Sequence, residues 1–249
     1  MGDLFLNSNQ YERLAEGAVI TIQVLVYSFL LGVVLSLVFG VARLSSRRIV
    51  RGLALGYVEL FRGVSSIVLL FWMAFALPIL LGVDQESKLS LGSIALGLNM
   101  GGYGAEIVRG AIQSVPKGQE EASIALNLTP TQRLRHVVLP QAMPVILPPM
   151  GNLTIEILKG TALVSLIGLA DLTFEAQKIR VGGVVSSDRV EVPILYLNVL
   201  VIYFVLSQIV SLLYRLAERR VNKRYGQRTG RAAATILQPG AAAAPGVSG

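Results

Sequence analysis

Long uncharged stretches alternate with short charged blocks along this chain of 249 residues. Uncharged residues run without interruption over 17–42, 63–83, 89–105 and 192–214, which gives stretches of 26, 21, 17 and 23 residues. An α-helix needs about 20 mostly apolar residues to cross roughly 30 Å of hydrocarbon. These four stretches are therefore predicted to be transmembrane helices. The first is too long for the apolar region of a cleaved signal peptide, and no basic region precedes it.

A fifth uncharged stretch covers 137–155 and differs from the others in its proline content. Its 19 residues include Pro140, Pro144, Pro148 and Pro149. Prolines are tolerated inside membrane helices where neighbouring helices satisfy the freed carbonyl groups. We therefore predict a broken membrane helix here, which makes the fold an all-α membrane protein with five transmembrane helices.

Lysine and arginine are concentrated in alternate connections between the predicted spans. Sixteen of them follow the spans 17–42, 89–105 and 192–214. The N-terminal segment and the other two connections hold five. Because cytoplasmic loops carry the excess of basic residues, this asymmetry places the N-terminus outside and the C-terminus in the cytoplasm.

The predicted organisation has three parts. Residues 1–16 form an external N-terminus, residues 17–222 form the transmembrane domain, and residues 223–249 form a cytoplasmic tail. From residue 226 onward the tail is rich in Gly, Ala and Pro, which cannot bury enough apolar surface to offset chain entropy. The tail is therefore predicted to be disordered.

The composition agrees with a membrane protein and excludes several kinds of site. Apolar residues make up 53% of the chain and charged residues 15%, and the mean hydropathy is +0.63. With no cysteine and one histidine, the chain can form neither disulfides nor thiolate or paired-histidine metal sites. The topology accounts for the net charge of +7, so nucleic acid is not expected as a partner. An enzyme is not expected either, because dispersed carboxylates and one histidine cannot supply a nucleophile, a base and an orienting group.

The longest cytoplasmic connection, at about 110–140, contains signals for two short helices. Pro116 can open the first helix, whose first turn carries two glutamates near the positive end of the helix dipole. Asn127 tolerates the left-handed conformation that ends a helix, and the Thr-Pro pair at 129–130 can cap and start the next one. On these residues alone two interpretations stay open: an amphipathic helix on the membrane surface, or an element that a partner protein holds.

Several motifs in register resemble those of a known transporter family. Residues 118–123 (GQEEAS), with Asn127 and with VLPQA at 138–142, are similar to the E-A-A…G…I-L-P signature of permeases of binding-protein-dependent ABC importers. Ser123 replaces the second alanine and Asn127 the glycine, and both residues are small or compatible with a turn. Over about residues 15–222 the chain also resembles the polar amino acid permease subfamily, in ELFRG at 59–63, YGAEIVRG at 103–110, VPKGQ at 115–119 and LPPMGN at 147–152.

The resemblance implies a type I ABC importer permease fold in a bacterial plasma membrane. It also implies a partner dimer of ATP-binding cassette subunits that uses ATP. This chain has no G-x-x-x-x-G-K-[ST] motif, so it is expected to bind no cofactor itself. The other implied partners are membrane lipid, a second permease chain, identical or homologous, and an external solute-binding protein, for which we expect contacts at 83–90 and 171–191. The residues implied to couple this chain to the ATPase are Gly118, Glu120, Glu121, Ala122, Ser123, Asn127, Leu139 and Pro140.

The family often reads N-E-F…K-D-T-S-L where this chain has NLTIEILKGTAL at 152–163. The aspartate is absent and Glu156 has appeared. Ionisable groups at membrane depth are expensive and mark a pathway or a paired site. Glu156 and Lys159 are three residues apart, so they can pair with each other or contact a substrate. The predicted pathway residues are Glu156, Lys159 and Thr161.

The predicted function is the import of a polar amino acid or an amino-acid-like compatible solute. Residues 125–130 (ALNLTP), 163–167 (LVSLI) and 170–177 (ADLTFEAQ) resemble the ectoine/hydroxyectoine permease branch. The alternative is a stand-alone ion-coupled carrier or channel, which does not need an E-A-A loop.

Overall fold

A computed structural model describes residues 6–82, 88–185 and 191–237 of the chain. Regular structure within these ranges is entirely helical, which confirms the predicted all-α class. These helical regions include two π-helical turns, at Trp72–Ala76 and Leu134–Val138, and a 3₁₀ helix at Thr161–Ile167. The α-helices are α1 (Ser8–Ala42), α2 (Arg48–Gly63), α3 (Ser66–Phe71), α4 (Leu77–Leu81), α5 (Lys88–Gln113), α6 (Lys117–Ala125), α7 (Pro130–Arg133), α8 (Leu139–Gly160), α9 (Leu172–Val185) and α10 (Val192–Leu237).

Three helical segments of the described chain are long and apolar enough to cross a membrane. They are α1, the segment Pro130–Ile167 and the part Val192–Lys223 of α10. A fourth span results if α2 and the segment Ser66–Leu81, which meet at a bend of 101°, are counted together. The predicted span at 89–105 lies in α5, which is not among these helices. The count of five spans and the orientation therefore stay predictions.

From residue 139 onward, the predicted span 137–155 lies in one continuous α-helix instead of breaking at its prolines. All four prolines lie within α8, and the irregular turns lie before and after that helix, at Leu134–Val138 and Thr161–Ile167. Each internal proline removes a hydrogen-bond donor and costs about 3 kcal/mol in a soluble helix. Packing offsets that cost here, because Ala142, Ile146 and Met150 on one side of α8 are buried. The prediction of a break within 137–155 was wrong.

The chain separates into two compact units. One comprises Met1–Gly110 and Pro149–Leu212, and the other comprises Ala111–Pro148 and Leu213–Gly249. In the first unit, α1 and α5 run side by side in the same direction, with Ser28 Oγ donating to Ser93 O at 3.0 Å. A Cβ at Gly32 of α1 would lie 2.7 Å from Met100 Sδ of α5. The absence of a side chain at Gly32 therefore allows this close approach.

α9 and α10 pack on the first half of α1. Leu14 of α1, Leu172 and Ala176 of α9 and Leu195 of α10 are fully buried in one apolar cluster. A Cβ at Gly17 would lie 2.8 Å from the Cα of Leu172, so glycine is needed where the two backbones meet.

The last helix extends further than the composition indicates. Residues 226–237, for which disorder is predicted, belong to α10, and residues 238–249 lie outside the described residues. The segment 231–234 reads RAAA, and alanine and arginine have high helix propensity. This propensity favours a helix at 231–234, whereas Gly226 and Gly230 before it do not.

Candidate functional site

The predicted two-helix element, residues 116–133, has well-defined ends; we call it the coupling segment. α6 ends in a Schellman motif, because Leu128 N donates to Ser123 O at 3.1 Å and Asn127 N donates to Ile124 O at 2.8 Å. Asn127 has a φ of 55°, which is the left-handed conformation predicted from the sequence. These bonds satisfy the carbonyl groups at the end of α6 and fix the turn that follows.

A capping box starts the second helix of the coupling segment. Thr129 N donates to Gln132 Oε1 at 2.9 Å, and Gln132 N donates to Thr129 Oγ1 at 3.4 Å. Pro130 occupies the first helical position, where a missing N–H costs nothing. The helix start that the Thr-Pro pair predicts is therefore present.

Polar contacts tie the two helices of the coupling segment to one another and to α8. Ser123 is buried and donates to Glu120 O at 2.6 Å, so its hydroxyl is satisfied inside the element. Glu120 also lies 3.9 Å from Arg133 Nη1, and Gln141 Nε2 of α8 donates to Gln119 Oε1 at 3.1 Å. Ser123 therefore lies on the inner side of α6 with its hydroxyl bonded within the helix, whereas Glu120 remains largely exposed.

The outer side of the coupling segment is exposed and partly apolar. Gly118, Glu121 and Ala122 are exposed, and no atom lies within 4 Å of a Cβ built at Gly118. Ile124 and Leu126 are 53% and 74% exposed. Leu139 and Pro140, the other two predicted coupling residues, are half-buried at the start of α8. Small residues beside exposed apolar side chains form a surface suited to close docking of another protein.

One face of α8 carries polar side chains that this chain does not cover. Asn152, Glu156 and Lys159 follow one another at helical spacing and are all exposed, whereas Leu153, Ile157 and Leu158 beside them are buried. In the part of the chain that the structure describes, neither Glu156 nor Lys159 forms a salt bridge. The two charges therefore do not satisfy each other.

Thr161 does not lie on this exposed face. It is fully buried, and its Oγ1 donates to Leu158 O at 2.6 Å. The structure thus separates the three predicted pathway residues into an exposed charged pair and a buried hydroxyl that stabilises the end of α8.

A charged cluster on α1 and α5 was not singled out from the sequence. Arg43, just after α1, forms a salt bridge with Glu106 of α5, and Arg109 Nη2 lies 2.7 Å from the same carboxylate. Arg62 stacks over the ring of Tyr103, with the guanidinium carbon 5.4 Å from the ring centre. One carboxylate therefore holds two arginines, with a third close by.

The ELFRG and YGAEIVRG motifs meet in and beside this cluster. Asn99 Nδ2 donates to Phe61 O at 2.9 Å, and Tyr103 Oη donates to Arg62 O at 3.3 Å. Each of the two motifs contains charged residues next to a predicted membrane boundary, and this was the signal that the sequence offered. What the sequence did not supply was the pairing of residues 63 positions apart.

Replacing Glu106 with glutamine is expected to destabilise the protein by about 1–3 kcal/mol, because two partly buried arginines lose their shared carboxylate. Thermal unfolding of the purified protein in detergent measures this loss. Glu59→Gln is the matched control: Glu59 is exposed on α2, and surface substitutions usually change stability by no more than about 0.5 kcal/mol. Equal unfolding temperatures for the two variants would contradict a stabilising role for the cluster.

The segment 170–178 forms the start of α9 and is stabilised by its own charges. The buried carboxylate of Asp171 accepts hydrogen bonds from Thr173 N and Phe174 N at 3.1 and 3.0 Å, and burial raises the pKa of Asp171 to about 6. Glu175 lies 3.4 Å from Arg13 Nε and 2.8 Å from Lys178 Nζ. These residues of the ADLTFEAQ motif thus have structural roles. Residues 83–87 and 186–190 of the two predicted docking connections lie outside the described residues.

The sequence matches a known transport family over most of its length. Residues 32–223 match the family described as "Binding-protein-dependent transport system inner membrane component". The probable amino-acid ABC transporter permease protein y4tF of Sinorhizobium fredii is 44% identical over 232 residues, which cover 91% of this chain and 95% of that protein. The glutamine transport system permease protein GlnP of Escherichia coli is 34% identical over 208 residues, covering 84% of this chain and 92% of GlnP.

Solved structures agree with the sequence match. A chain of an amino acid ABC transporter crystallised with histidines has a TM-score of 0.72 and 32% identity, covering 84% of this chain and 94% of that one. A chain of the inward-facing MetNI methionine ABC transporter has a TM-score of 0.71 at 22% identity, covering 87% of this chain and 99% of that one, and supports the fold alone. The helical fold is thus that of a multi-pass membrane transport component. The chain belongs to the inner membrane components of binding-protein-dependent transport systems.

Proposed function

We propose that this chain is the permease subunit of an ATP-driven importer for a polar amino acid or an amino-acid-like solute. The observation that carries the proposal is the coupling segment, whose rigidly capped helices present exposed Gly118, Ala122, Ile124 and Leu126. An element with fixed ends can transmit movement of an ATPase as a rigid body. The exposed charges of Glu120 and Glu121 are available to basic groups of that partner.

The exposed face of α8 supports a translocation pathway. Charged side chains in a membrane span are costly unless they face a water-filled cavity or a partner. Glu156 and Lys159 are both exposed within the apolar segment Pro130–Ile167. A second permease chain, identical or homologous, would enclose this face and make the two charges part of a shared pathway.

The proposed assembly contains partners on both sides of the membrane. A separate ATP-binding cassette dimer docks on the coupling segment on the cytoplasmic side and hydrolyses ATP itself, and a solute-binding protein delivers substrate from outside. This arrangement requires the N-terminus outside and the C-terminus in the cytoplasm, as the distribution of sixteen basic residues against five predicts.

The exposed charges of Glu156 and Lys159 on α8 fit a zwitterionic substrate. A carboxylate and an ammonium group three residues apart can contact the opposite charges of a zwitterion. Ordinary amino acids and ectoine-type solutes both meet this requirement, and the resemblance of 125–130, 163–167 and 170–177 to ectoine permeases favours the latter. Competition of unlabelled ectoine, hydroxyectoine and glutamine against uptake measures the preference directly.

Purification from solubilised membranes tests the assignment against a stand-alone ion-coupled carrier or channel. We expect the chain to be recovered with an ATPase, and uptake in proteoliposomes to require ATP and the binding protein. Recovery of this chain alone, active without ATP under an ion gradient, would overturn the proposal.

A further inference from the structure

α2 meets the segment that follows it at a sharp bend. Its axis turns by 101° into the segment Ser66–Leu81, which contains most of the predicted span 63–83. If that segment crosses the membrane, α2 lies close to the membrane plane. A helix in this position is placed to contact lipid headgroups along its length.

Contacts with α1 and α5 fix the depth of α2. Tyr57 stacks on Phe39 of α1 with ring centres 3.8 Å apart, and Tyr57 Oη donates to Leu98 O of α5 at 2.9 Å. Phe39 is three residues from the end of the predicted span 17–42, or about 5 Å along a helix. α2 therefore lies near the end of this span, where hydrocarbon gives way to headgroups.

One side of α2 packs on the protein and the opposite side remains uncovered. Ala54 and Val58 are 1% and 0% exposed, whereas Ile49, Leu53 and Leu60 are 78%, 71% and 57% exposed. The three exposed residues follow the spacing of one helix face. This apolar face lies at the level where a helix embedded at the membrane surface is expected.

Arginines occupy the start of α2, on the sides of the helix away from its apolar face. Arg47, Arg48 and Arg51 are exposed, and none forms a salt bridge within the described residues. Protein interfaces have few charged residues in their cores, whereas anionic lipid headgroups complement unpaired arginines on a helix whose other side is apolar.

We propose that α2 is an interfacial helix whose arginines bind anionic phospholipid headgroups of the cytoplasmic leaflet. Ile49, Leu53 and Leu60 enter the acyl region, and the guanidinium groups of Arg47, Arg48 and Arg51 reach the phosphates. The inference rests on the orientation given with the proposed function. It adds a lipid-binding surface that the coupling segment and the exposed face of α8 do not include.

Spin-labelled lipids added to the purified complex in phosphatidylcholine bilayers test this surface. The probes are labelled phosphatidylglycerol and labelled phosphatidylcholine, and the measured quantity is the ratio of their motionally restricted fractions. We expect the variant Arg47→Gln, Arg48→Gln, Arg51→Gln to lose at least about fivefold in selectivity for phosphatidylglycerol, since a single arginine near an anionic surface contributes about that factor.

The matched control is Arg219→Gln, Arg220→Gln, Lys223→Gln on α10. It removes three exposed charges from the same predicted side and leaves the same excess of basic residues there. We expect the control to keep most of the selectivity. An equal loss in both variants, or no loss in the α2 variant, would overturn the assignment to α2.

A photocrosslinker in place of Leu53 identifies what covers the apolar face. The expected product is an adduct of the chain with phospholipid, whereas an adduct with a second permease chain would overturn the proposal. Neither measurement requires transport. ATP-dependent uptake by the same complex is measured separately, so failure of lipid binding and failure of the proposed function give different results.

Discussion

Replacing Ala122 with tryptophan is expected to abolish uptake while the protein remains in the membrane. Ala122 is exposed on α6, so an indole there does not disturb the packing of this chain. At a closely docked interface the same indole overpacks the contact, which typically costs about 1–3 kcal/mol. Uptake in cells and recovery of the ATPase with the purified protein measure the effect, and both should fall.

The control for Ala122→Trp is Asn222→Trp, which adds the same side chain at an exposed position of α10 on the same predicted side. We expect this control to transport normally. A helix that lies on the membrane surface would tolerate or favour the added apolar bulk at Ala122. Normal uptake and normal ATPase recovery in Ala122→Trp would therefore contradict a coupling role.

The double substitution Glu156→Gln and Lys159→Met is expected to reduce uptake by at least about 100-fold. Hydrogen bonds to charged groups contribute about 1.5–3 kcal/mol each, and both contacts with a zwitterion would be lost together. Because both side chains are exposed and outside any salt bridge in the described chain, the fold should be retained. Uptake, substrate affinity and substrate-stimulated ATPase activity of the assembled complex measure the effect.

Exchanging the two charges, as Glu156→Lys with Lys159→Glu, separates substrate contact from simple pairing. If the two residues only stabilise each other, the exchanged pair should restore uptake. If each contacts one end of the substrate, the exchange should reduce uptake as strongly as the double neutral variant. Unchanged uptake and ATPase stimulation in the neutral variant would show that the exposed face of α8 is not the pathway.

Local chemistry in the sequence was sufficient to predict the coupling segment. The left-handed Asn127, the capping box at Thr129 and Pro130 at the first helical position depend on residues within four positions of one another. Such contacts form whenever the segment folds, whatever surrounds it. The same reasoning identified the apolar stretches, because the cost of burying polar groups in hydrocarbon acts on each helix separately.

Local signals were less reliable where packing competes with them. The prolines in 137–155 predicted a break, yet α8 is continuous because its buried side offsets their cost. The spacing of Glu156 and Lys159 also left two possibilities open. In the structure both are exposed and no salt bridge joins them, and the charge exchange distinguishes substrate contact from pairing.

The sequence by itself determined the helical membrane class, the family and the turn chemistry of the coupling segment, because these depend on composition, motif and near neighbours. Only the tertiary structure decided that Glu106 binds Arg43 across 63 positions, that Thr161 is buried and Glu156 is not, and that α2 turns by 101° into the next segment. These features depend on which helix faces meet. A pattern along one chain does not contain that information when nearly every face is apolar.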